Sequence, residues 1–184
     1  MAHAIIETDI PGLYAAIVAA ISAHFPDLQT VEFDRDDDDR TSLAVPACLI
    51  ELTEFEAAPE LDPGTDQLAV MARFEAELVL GFRTPAVKRS ARVLAAALCA
   101  YLHKQRHWPN GKAGAIEVMG AWPSQFKPDL DQYEVWRVEW RQPLNLGADI
   151  WAAEADGVTP QTILFGYTPE IGLGHEADYE ELTT

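Results

Sequence analysis

The stretch FRTPAVKRSARVLAAALCAYLHKQRHWPNGK, Phe82 to Lys112, decides how this chain is organised. Thr84-Pro85 reads as a helix opening, because a hydroxyl can cap and proline suits the first helical position. Pro109-Asn110-Gly111 reads as the turn that closes it. Between them Val87, Ala91, Leu94, Leu98 and Leu102 recur at intervals of four and three, an apolar stripe on a helix of roughly six turns. The charge is stranger. Arg83, Lys88, Arg89, Arg92, Lys104, Arg106 and Lys112 are seven of the 13 bases, and no acid falls among them. Lys104 and Arg106 suit a helix C-terminus. Lys88, Arg89 and Arg92 sit near the N-terminal end, where the macrodipole disfavours cations. That placement suggests acids from elsewhere, in this chain or in a neighbour; the plainer alternative is the solvated face of a long helix, which alone would account for most of these bases.

The flanking segments read as strands. In Gln67–Gly81, Leu68, Val70, Ala72, Phe74, Ala76, Leu78 and Leu80 alternate onto one face, with Arg73, Glu75 and Glu77 on the other. Its length, about twice the usual ~5–6 residues, predicts that it reaches beyond the sheet or pairs with a neighbour. In Gln132–Leu146, Glu134, Trp136, Val138, Trp140, Gln142 and Leu144 share a face that covers the helix. Tyr133, Val135, Arg137, Glu139 and Arg141 share the other, which reads as wet. Shorter strands are expected at Thr30–Phe33, Leu43–Thr53 and Gly114–Trp122. Asp9-Ile10-Pro11 opens a first helix with Leu13, Ile17, Ala20, Ile21 and His24 on one face, ending near Phe25-Pro26. The fold class is therefore α/β (α+β): a mostly antiparallel sheet packed against two helices. Residues 1–146 form the domain. From Gly147 the periodicity dissolves, and 147–184 reads as an extended acidic arm with apolar anchors.

Composition narrows the function. A net charge of −17 over 184 residues argues against a nucleic-acid-binding surface, which needs clustered cations. Cys48 and Cys99 lack disulfide or metal spacing and fit a reducing cytosol. No leader peptide is evident, and no apolar run reaches the ~20 residues that span a bilayer. Asp34–Arg40 lacks the glycine and closing glutamate of a calcium loop and reads as a solvated loop. His103 and His107, four apart, could clip a metal, but no nearby Cys or Glu completes a site. No nucleophile elbow or phosphate loop occurs. Neither an enzyme nor a cofactor or metal site has positive support.

The order of segments resembles the tail terminator (tail completion) proteins of tailed bacteriophages, particularly those of Mu-like phages with contractile tails. The likeness rests on the N-terminal helix, the acidic hairpin, the Leu68–Leu80 strand and the Ala-rich basic helix. Asp131-Gln132-Tyr133-Glu134-Val135-Trp136-Arg137-Val138-Glu139-Trp140 and the closing Phe165-Gly166-Tyr167-Thr168-Pro169-Glu170-Ile171 also carry it. It covers roughly residues 5–180. It implies a hexameric ring in the virion that caps the head-proximal end of the tail tube, stops polymerisation and meets the neck or head-completion proteins. A sheath contact is a further implication, and genomic DNA would pass through the lumen without specific binding. No membrane and no catalytic residue are implied.

Ring closure needs one side of a subunit to complement the other. The expected subunit interface pairs Arg83, Lys88, Arg89 and Arg92 with acids such as Glu51, Glu54 and Glu56 or the C-terminal tail. Phe165, Tyr167, Ile171 and Tyr179 are the expected anchors of the arm on a neighbour. The alternatives are another neck or tail ring, such as a head–tail stopper or tube-associated adaptor, and an unrelated small-molecule- or peptide-binding α/β domain.

Overall fold

The computed structural model describes residues 9–35, 43–109, 113–124, 133–150, 164–169 and 171–181. Its elements in chain order are α1 (Ile10–His24), β1 (Thr30–Phe33), β2 (Ala47–Ala57), β3 (Leu68–Gly81), α2 (Val87–Gln105), β4 (Glu117–Pro123), β5 (Tyr133–Leu146), β6 (Leu164–Phe165) and β7 (Glu180–Glu181). Strands β1 to β5 form one sheet in the order β1-β2-β3-β5-β4. Only the β1–β2 pair is parallel. Both helices pack on one face, giving the expected α+β architecture.

Alternation in β3 sets that face. Val70, Ala72, Phe74, Ala76 and Leu78 are buried beneath the helices together with Cys48, Ile50, Val138, Trp140 and Leu144. Phe74 lies opposite Trp140 in register. Their rings stack with centroids 5.4 Å apart, and both side chains are fully buried. Truncating either to alanine would cost about 3–5 kcal/mol.

The first helix forms where Asp9 caps it, its carboxylate accepting the Gly12 N–H at 3.0 Å. Leu13, Ile17 and Ile21 face inward. The Tyr101 hydroxyl donates to the Ala20 carbonyl at 3.1 Å and ties the two helices together. In α2 the inward stripe is Ala91, Ala95, Leu98 and Leu102, with Leu94 half-buried beside it. Trp108, just past the helix, is buried against Trp140 and donates its indole N–H to Gln142 Oε1 at 2.9 Å. That bond fixes the end of α2 on β5.

Several expectations need correction. Thr84 and Pro85 do not open α2; they belong to a turn in which the Thr84 N–H reaches the Gly81 carbonyl. The chain leaving β3 must reverse before a helix can start. It does so through Ala86, held in the left-handed conformation with no side-chain cap. The helix also stops at Gln105, so His107 lies beyond the helical face that carries His103. Strand β2 begins at Ala47 rather than Leu43, because Pro46 has no N–H to give a ladder. It runs on to Ala57, through a register shift between Leu52 and Glu54. Strand β4 begins at Glu117 rather than Gly114, whose N–H is spent on the Pro143 carbonyl. Strand β3 does not project: it is paired with β5 along its whole length and lies inside the sheet. The segment that projects is the second half of β2, since β1 covers only Ala47–Ile50. Of the expected acidic loop, 36–40 lie outside the described residues, as do Lys112 and Trp151.

Candidate functional site

The basic start of α2 is built by two elements. The Gly81–Ala86 turn presents Arg83, and the first turns of the helix present Lys88, Arg89 and Arg92, all four exposed. The Ser90 hydroxyl donates to the Pro85 carbonyl at 3.1 Å and braces this end. The guanidinium of Arg92 sits 5.9 Å from the Trp136 ring centroid, within cation–π range. Among the described residues, Arg83, Lys88, Arg89 and Arg92 form no ion pair. The arginine–carboxylate pairs belong to Arg35, Arg73, Arg137 and Arg141. Among the described residues, then, no acid is close enough to relieve the repulsion these cations meet from the helix dipole and from one another.

Two open grooves flank that end. One, of about 620 Å3, is lined by Val45, Gly81, Phe82, Arg83, Thr84 and Tyr133. The other, of about 370 Å3, lies between the end of α1 and α2 and is lined by Phe25, Arg89, Ser90, Val93, Leu94 and Ala97.

Glu51, Glu54 and Glu56 stand on the projecting half of β2, all exposed. Glu54 pairs with Arg73 at 3.2 Å. Within one subunit the expected partners are not brought together. Glu54 lies opposite Arg73, eight residues up β3 from Gly81, or roughly 26 Å from the turn that carries Arg83.

The arm residues meet each other. Strands β6 and β7 make their own two-stranded sheet. The Phe165 and Tyr167 rings stand edge to face at 5.7 Å. The Tyr179 hydroxyl accepts the Gly172 N–H at 2.8 Å. Gly166 is enclosed by Ile171 and Tyr179, either of which a Cβ there would crowd. Phe165 and Tyr179 are half-buried by this folding, while Tyr167, Ile171 and Leu173 stay exposed.

The outer face of the sheet is less wet than its sequence suggests. Arg137 reaches Glu75 at 2.9 Å, Glu77 at 3.6 Å and Glu139 at 3.9 Å. Glu77 and Glu139 are buried, 7% and 8% exposed. The Ser124 hydroxyl donates to Glu77 Oε1 at 3.2 Å. Burial pushes the Glu75 carboxyl up; Arg137 opposes this, and Glu139, Glu51 and Glu77 add to it. The sequence put Arg137 with Glu139 on the outer face of β5 and Glu75 with Glu77 on the outer face of β3; that the two sets form one cluster arises only when β3 and β5 align in register.

No group of three or more His, Cys, Asp or Glu among the described residues is placed to hold a metal ion. Burial pushes the Cys48 thiol up to about 12 and raises that of Cys99 too. Neither is an activated nucleophile. Among the described residues, no helix is long and apolar enough to cross a membrane. Neither a family model nor a curated protein matches this chain.

Proposed function

We propose that the chain is a structural ring subunit, a tail terminator that caps the head-proximal end of a phage tail tube. Six copies would close head to tail, stop tube growth and offer a face to the neck protein. The observation that carries this reading is the unsatisfied cationic start of α2 in a chain whose surplus is otherwise acidic. A subunit whose cations make no ion pair among the described residues, and whose Glu51, Glu54 and Glu56 stand on the far half of β2, suits contact with a copy of itself. Complementary charge of this kind selects partner and register more than it adds affinity. The acid left over would let DNA slide past without adhering. The agreement of the fold class with the segment order that suggested the family supports the same reading.

The test is assembly. Light scattering and electron microscopy of the purified chain, alone and with tail tubes, should give rings and capped tubes of limited length. Arg89→Glu with Arg92→Glu should leave a folded monomer. Removal of residues 147–184 should leave a soluble domain whose tails fail to join. A chain that stays monomeric at every concentration, with and without tubes, rejects the function.

A further inference from the structure

The cationic end of α2 has a counterpart at the opposite end of the molecule. From residue 41 to residue 72 the chain carries Glu51, Glu54, Glu56, Glu60, Asp62 and Asp66 and not one base. These residues belong to the outer half of β2, the 3-10 turn Pro59–Leu61 and the connection into β3. The same tip exposes Phe55, Leu61 and Leu68, at 47%, 42% and 57%. It is therefore acidic and apolar together. The Phe25–Ala97 groove is apolar with Arg89 on its wall, and Val93 at its edge is 61% exposed.

Register places the two at opposite ends. Phe25 lies just ahead of β1, whose Thr30 pairs with Ala47, which in turn pairs with Val79. Helix α2 starts a few residues after Gly81, at the same end. Phe55 pairs with Ala72, seven residues farther along β3, or roughly 23 Å away. A patch and its complement at opposite ends cannot satisfy each other within one copy. They can do so between copies in a head-to-tail contact, the kind that closes a ring.

The geometry points to a specific seat for the next subunit: the β2–β3 tip of one copy, led by Leu61 with Glu60 beside it, docks in the Phe25–Val93–Ala97 groove of the next, with Glu60 and Glu56 toward Arg89 and Lys88. This inference rests on the ring reading and names its interface. Each half alone exposes apolar surface beside charge: Lys88 and Arg89 on one side, and on the other Glu60, with Glu54 already paired to Arg73 and Glu56 in the field of Arg141. Joining them covers the apolar surface and brings the opposite charges together, the apolar seat supplying affinity and the charges rejecting tip-to-tip and groove-to-groove contacts.

Charge reversal tests it. Glu56→Lys with Glu60→Lys should abolish assembly of an otherwise folded chain, and Lys88→Glu with Arg89→Glu should do the same. Mixing the two variants should restore assembled species, because each contact in the mixture again joins opposite charges. Oxidation of a Leu61→Cys/Val93→Cys variant should give a ladder of cross-linked multimers that neither single variant gives. If the wild type assembles and the tip variants assemble equally well, or the ladder fails to form, the seat is wrong while the ring reading stands. If the wild type never assembles, both fall. Circular dichroism of each variant separates lost contact from lost fold.

Discussion

Replacing Trp108 by Phe removes the one hydrogen bond that the Gln142 side chain makes among the described residues, and with it the polar clamp of α2 on β5. Gln142 is fully buried, and its Nε2 has no partner among the described residues. Its Oε1 accepts from Trp108 at 2.9 Å. In Trp108→Phe the whole amide is buried and unpaired, at a cost of about 1–3 kcal/mol. The volume lost in going from indole to phenyl adds roughly 1 kcal/mol. For a chain of this size that lowers Tm by roughly 5–15 °C. Gln142→Leu orphans the indole N–H but also removes the unpaired amide nitrogen, so its net cost should stay within about 1 kcal/mol. The double variant buries no polar group at this point and should regain about 1–3 kcal/mol over Trp108→Phe alone. Urea and thermal unfolding of all four proteins close the cycle. A double variant no more stable than Trp108→Phe refutes the clamp.

The outer-face cluster predicts a pH dependence. The Glu75 carboxyl is raised in the folded state, above all by burial. Its ionisation therefore opposes folding, and stability is lost as pH rises through the folded value. Glu75→Gln should raise Tm at neutral pH, with the gain vanishing below the ordinary carboxylate range; thermal melts across pH 3 to 8, about the span of carboxylate titration, read this out. Gly114→Ala should destabilise by about 1–3 kcal/mol, since the new Cβ would overlap the Pro143 ring; urea titration checks it, and an unchanged midpoint would show that the β5 contact yields freely.

The strands were legible where one face is buried. The alternation of Leu68 to Leu80 and of Glu134 to Leu144 is the physical signature of a sheet with helices on one side, and it even placed Gln142 inside. Its partner Trp108 was not legible, because the bond joins residues 34 apart in sequence. The start of α2 was misread for a related reason. Thr84 and Pro85 suit a helix opening locally, but the reversal after β3 uses them first. Of the candidate site, the helix dipole pointed to an acid partner for Lys88 and Arg89, in this chain or in a neighbour, and the described residues of this chain supply none. The Phe25–Ala97 groove was not, since it exists only where two helices meet.

Among the described residues no strand pairs with the outer flank of β2 from Glu51 to Ala57, which has one more consequence. Bare strand edges invite other strands, and proteins crowded at high concentration risk stacking into fibrils through them. Here the side chains along that flank include Glu51, Glu54 and Glu56, and the ladder is broken at Thr53 by the register shift. Two such flanks brought together would set carboxylates against carboxylates on a kinked backbone. An endless ribbon grown through this edge is thereby discouraged, whatever else the chain touches.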